Sequence, residues 1–127
     1  VLALLLVGVV LAACADSASD DAKERALIDA PAVGDLYAAE LTYFSEADFE
    51  GQARVYGLMK VVDVDEGSVT VITENAASAD EAVPIEEMDG PLEHIEFDPN
   101  EQIDIPHTRL LEAHGAGKIL AVRRPGT

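Results

Sequence analysis

Chemistry in this chain has to come from few side chains. One cysteine, Cys14, and three histidines, His94, His107 and His114, are the candidates for nucleophilic or metal work. His107 and His114 stand seven apart, a spacing that puts both on one face of a helix, and His94 lies between Glu93 and Glu96. No HExxH pair, no His-rich run and no second cysteine completes a zinc set, so no metal site is predicted. Asp63-Val64-Asp65-Glu66-Gly67 invites comparison with a calcium loop. An EF-hand needs a third oxygen ligand before its Gly and a bidentate Glu later, and neither spacing is met. The run reads instead as a hairpin tip kept soluble by carboxylates. There is no GxSxG elbow to activate a serine. With 25 acidic residues, no one pair is selected as a general acid and base. The sequence thus predicts no enzyme and no cofactor.

Cys14 has another chemistry because of what precedes it. Val1 to Ala13 reads VLALLLVGVVLAA, with Gly8 alone outside the apolar set. A span needs about 20 apolar residues, so the run is too short to cross a membrane. It fits the apolar region of a secretory signal. Leu11-Ala12-Ala13-Cys14 resembles the lipobox of bacterial lipoproteins. That resemblance implies cleavage before Cys14, a diacylglyceryl thioether on its sulfur and an acyl chain on its amine. Each buried methylene contributes about 0.8 kcal/mol, so several chains together anchor the protein firmly to a membrane. Such leaders open with positive residues; none precedes Val1, and the start is expected upstream of Val1 or at a first codon read as Val. Ala15 follows the cysteine and Asp16 comes one later, which in the enteric pathway leans toward the outer membrane.

With Cys14 lipidated the chain holds no thiol for a disulfide, so the exported domain must stand on its core. Eight basic residues against 25 acidic give a net charge of −17. Such a surface repels phosphate backbones and anionic headgroups, and nucleic acid is not an expected partner. A basic protein or a cation is.

The elements that would carry these groups follow from hydropathy. Residues 1–13 read as the leader and 14–32 as the lipidated cysteine with a flexible acidic tether, in which Lys23 to Asp29 can form a helical turn or two. Residues 33–127 read as a small β-rich domain. Asp35 to Phe44 alternates, with Tyr37, Ala39, Leu41 and Tyr43 on one side. Ser45 to Asp48 resembles a capping box, closed by Gly51. Arg54 to Val64 and Ser68 to Thr73 make a hairpin across Asp65-Glu66-Gly67. Ser78 to Ala82 is partly helical and broken by Pro84. Leu92 to Phe97 is a strand ended by a turn at Asp98-Pro99-Asn100, and Glu101 to Ile105 is a weaker one. Thr108 to His114 is a short helix with Thr108 as N-cap and Gly115 or Gly117 as exit. Lys118 to Arg123 is the last strand, stopped by Pro125. The predicted fold is mainly β, a small SH3-like barrel or roll of five to six short strands with one short helix. An α+β sandwich is the alternative.

Tyr37, Tyr43, Phe44, Phe49 and Tyr56 are expected mostly in the core, with a subset free to serve as binding anchors. Gly57 is expected to mark a bulge or tight packing. Arg54, Lys60, Arg109, Lys118, Arg123 and Arg124 are expected to pair locally with carboxylates. In its lipobox, one-domain size and negative charge the chain is similar to lipid-anchored immunity proteins and envelope lysozyme inhibitors. That similarity implies a periplasmic domain that binds or inhibits a basic protein. Glu46, Asp48, Glu50, Glu86, Glu87 and Asp89 are the candidate contact residues, because opposite charge speeds encounter. A structural lipoprotein of an envelope complex and a cation-binding module are the alternatives.

Overall fold

The computed structural model describes residues 22–44 and 54–126. The fold is mainly β, as expected. Five antiparallel strands form one open sheet, a small roll in the order β4-β3-β2-β1-β5. The strands are β1 (Leu36–Glu40), β2 (Tyr56–Asp65), β3 (Ser68–Glu74), β4 (Phe97–Pro106) and β5 (Ile119–Arg123). The helices are α1 (residues 22–29), α2 (Leu41–Phe44), α3 (Ala82–Asp89) and α4 (His107–Gly115), with a 3₁₀ turn at Leu92–His94.

Apolar side chains leave the sheet on both faces, and helices cover each. On one face Tyr37, Ala39, Met59, Val61, Val69, Val71 and Ile105 pack under Ile28 of α1 and Leu110 and Ala113 of α4. On the other, Leu36, Ala38 and Leu58 meet Met88 of α3, with Ile85, Leu92, Ile95 and Phe97 beside them. β1 is therefore buried along its whole length. The β2–β3 hairpin turns where expected, and Gly67 takes the positive φ of +88° that its tip requires.

Local signals fail where tertiary context redirects them. The strand expected through Phe44 stops at Glu40, and Leu41 and Phe44 are buried from a helical turn instead. Leu92 to Phe97 is not one strand. Leu92 and Ile95 both face the core, and a three-residue spacing suits a helical turn better than a strand. The Asp98-Pro99-Asn100 signal does not end a strand but bends one. Ile72 pairs with Gln102 and Glu74 with Phe97, so residues 98–101 oppose Thr73 alone as a large bulge within β4. Proline is tolerated there because β4 is an edge strand. Ser78 bridges Tyr56 rather than opening a helix, and α3 begins at Ala82. Pro84 does not break it, because in the first turn a missing N–H has no helical acceptor to lose. α4 starts at His107 with Pro106 as N-cap and no side-chain cap, so the cap lies two residues ahead of the Thr108 predicted. Ile28, within the stretch expected as tether, is fully buried, so the packed domain takes in α1.

Candidate functional site

Of the predicted contact residues, Cys14, Glu46, Asp48 and Glu50 lie outside the described residues, as does the capping box. Glu86, Glu87 and Asp89 share α3. Pro84 and Met88 anchor that helix to the sheet, leaving Glu86 and Asp89 exposed and Glu87 half-buried. All three carboxylates sit in or beside the last turn, which carries no basic residue. The helix dipole places negative potential there, which disfavours an exposed carboxylate by about 0.3–1 kcal/mol, and Arg123 of β5 offsets part of it by donating to the Met88 carbonyl.

α3 belongs to a larger pattern. Residues 61–108 hold 14 acidic residues and no Lys or Arg. The fold places this stretch in β3 and β4 at one edge of the sheet, and in α3 and the 3₁₀ turn, with α3 packed across β1, β2 and β5. The basic residues lie on the other elements, and one of them, Arg123 of β5, reaches α3 through its bond to the Met88 carbonyl. Arg124 grips Asp35 at 2.7 and 2.9 Å, and Asp35 also accepts the Ala32 N–H at 2.9 Å. Lys118 and Arg54 approach Glu40 at 3.2 and 3.8 Å, and Arg25 approaches Asp29 at 3.8 Å. Arg109 and Lys118 lie 5.3 and 5.8 Å from the Tyr43 ring centroid.

Among the described residues, no carboxylate of 61–108 forms an ion pair. Asp104 accepts from the Thr70 hydroxyl at 2.7 Å and Glu101 from the Thr73 hydroxyl at 2.9 Å. Asp80 and Asp98 accept backbone N–H groups two residues on. Glu74 is the extreme case. β3 ends there, and the buried Glu74 carboxylate replaces the next ladder acceptor by taking the Leu58 N–H at 2.8 Å. Gly57 makes the room: a Cβ on it would lie 2.7 Å from Leu41 Cδ1 and 3.1 Å from Glu74 Oε1. Burial pushes the Glu74 carboxyl up to about 7, and a shared hydrogen bond with Glu87 pushes the same way.

The Tyr37 hydroxyl is buried without a hydrogen-bond partner, and burial, with Asp35 nearby, holds its proton on. The histidines stay apart: His94 is exposed on the 3₁₀ turn, while the His107 ring contacts the Ile28 carbonyl at 3.2 Å. Among the described residues, no three His, Cys, Asp or Glu side chains gather as they would around a metal ion, and no helix is long and apolar enough to cross a membrane.

The sequence reading named the carboxylates of α3 but missed Asp98, Glu101 and Asp104 on β4, and Glu74. The signal was present, in 48 consecutive residues without a Lys or Arg. Only the fold shows that Glu101 and Asp104 of β4 lie against Thr73 and Thr70 of β3. Comparison of the chain with family models, with curated proteins and with solved structures finds no match.

Proposed function

We propose that this chain is a lipid-anchored envelope protein whose folded domain binds a basic protein partner through the carboxylates of the β3–β4 edge and of α3. One observation carries the reading: among the described residues the carboxylates of residues 61–108 form no ion pair, whereas Asp29, Asp35 and Glu40 outside that stretch each do. Self-repulsion of this kind lowers stability. A cationic partner relieves it and is steered in by the same field. The Leu11-Ala12-Ala13-Cys14 motif supports attachment through Cys14, with the outer membrane favoured by Ala15. Inhibition of a cell-wall-cutting enzyme, as by an immunity protein, is the role this charge fits best.

The test uses the chain from Ala15 onward as bait in envelope and culture extracts, eluted with a salt gradient. The expected result is one basic enzyme, released at high salt, inactivated by added bait, and not retained by a bait carrying Glu86→Lys and Asp104→Lys. Retention of neutral membrane-complex subunits alone, insensitive to salt, overturns the reading in favour of a structural lipoprotein. Lipidation is tested separately: palmitate label must disappear from a Cys14→Ser chain.

A further inference from the structure

Beside α3 the second face of the sheet is incompletely covered. Leu36, Leu92, Ile95 and Phe97 line a cavity of about 290 Å³, together with the exposed Lys60 and Pro125. That volume lies at the small end of the roughly 300–1,000 Å³ typical of small-molecule sites. Lys60 pairs across the strands with Leu36 and Ile72, so no carboxylate stands opposite it on either side. Among the described residues it makes no ion pair, in a chain with 25 acids. Its ammonium sits 5.8 Å from the Phe97 ring centroid instead. Snorkelling explains an apolar stem with its head in water. It does not fill the space beside that stem.

We propose that this cavity binds a small amphiphilic carboxylate, with its head on the Lys60 ammonium and its apolar tail against Leu36, Ile95 and Phe97. The charge selects an anion, because Lys60 is the only Lys or Arg among the lining residues. The lining selects an acyl tail over a peptide. A peptide would bring backbone amides into an apolar cavity and leave them without hydrogen-bond partners. An acyl chain brings none. Leu92, Ile95 and Phe97 belong to the acidic stretch, but no carboxylate lines the cavity, and its occupancy does not depend on a protein partner.

The test is calorimetric titration of the full chain carrying Cys14→Ser, so that no acyl chain of its own competes. Decanoate, kept below its micellar range, is expected to bind saturably with one site. Decyltrimethylammonium, with the same tail and the opposite head, is expected to bind at least about tenfold more weakly. Lys60→Gln, an exposed position that leaves the core intact, is expected to weaken decanoate by about tenfold, as losing one charge-assisted contact does. Ile95→Glu is expected to abolish binding, and Lys118→Gln to leave it unchanged. No saturable decanoate heat, equal affinity for the two amphiphiles, or an unaffected Lys60→Gln each overturns the proposal. So does a short peptide with a C-terminal leucine that outcompetes decanoate, which would make the cavity a peptide-docking site.

Discussion

On the β1–β5 side of the sheet, carboxylates meet cations; on the β3–β4 side they meet hydroxyls, amides and one another. Asp35 and Glu40 flank β1, and their partners Arg124 and Lys118 flank β5, so these pairs tie the two ends of the chain across the sheet. Glu24 of α1 adds to this by accepting the Val122 N–H at 3.1 Å. Asp104 and Glu101 are held by threonine hydroxyls and Glu74 by the Leu58 N–H, and among the described residues none of the three forms an ion pair. The difference teaches that negative charge has two uses here. On one side it is paired inside the fold, and on the other, under the proposed function, it is left for a basic partner.

The sharpest break in this comparison is Arg124→Ala. Asp35 is fully buried, and losing the guanidinium leaves its carboxylate with the Ala32 N–H and no positive charge. Breaking a buried pair in this way costs about 3–5 kcal/mol. Because Arg124 is 27% exposed, the expected loss is near the low end, about 3 kcal/mol by urea unfolding. A loss below about 0.5 kcal/mol would mean that the pair is no more structural than an ordinary surface contact.

Gly57→Ala probes the junction between the sides. The new methyl group would press on Leu41 and the Glu74 carboxyl together, at distances that force one to move. Overpacking of this kind costs about 2 kcal/mol, read as a lowered urea midpoint with unchanged slope. The expectation of tight packing at Gly57 came from its place in a strand, but the groups it clears could not be read from sequence. Leu41 and Glu74 are brought to it by a turn and by the end of a neighbouring strand.

That contrast marks what sequence reading can reach here. The β2–β3 hairpin, the last strand and the helix before it were legible because their apolar spacing and their glycines are local. Pro84 and Asp98-Pro99-Asn100 were misleading for one shared reason. Whether proline stops an element depends on its place in a helix turn or its distance from a sheet edge, and both are set by distant partners. The contact residues were half legible. Acidity on α3 could be seen residue by residue, whereas the acidic side exists only once β3 and β4 lie together.

Glu74→Gln sharpens the comparison through pH. Glu74 loses its proton near 4.5 in the unfolded chain and near 7 in the folded one. Between those values the folded state holds a proton that the unfolded state has released. Glu74 therefore stabilises the fold at low pH, and that contribution is lost as pH rises through about 7. A glutamine keeps the protonated pattern, accepting from Leu58 and donating to Glu87, but cannot ionise. The variant should match the native chain at pH 4, where the carboxyl is mostly protonated in both states, and melt about 5 °C above it at pH 8. Parallel melting curves at both pH values would show that the carboxyl pair carries no proton at neutrality.

The smallest effect is the most discriminating, because stability and binding should move in opposite directions. Glu86 is exposed near the end of α3, and among the described residues it has no ion pair. Glu86→Lys replaces a charge that the helix dipole disfavours with one that it favours, and should stabilise the domain by about 0.5 kcal/mol. The same change removes one negative charge from the acidic side and adds a positive one, so retention of a basic partner should weaken and its salt dependence should flatten. Arg109→Glu on the opposite side should leave retention unaltered. If Glu86→Lys stabilises the chain and binding is unchanged, the carboxylates of α3 serve solubility alone and the partner surface must be sought on β4. If both fall together, Glu86 holds a structural contact and the division of charge between the two sides is less complete than the geometry shows.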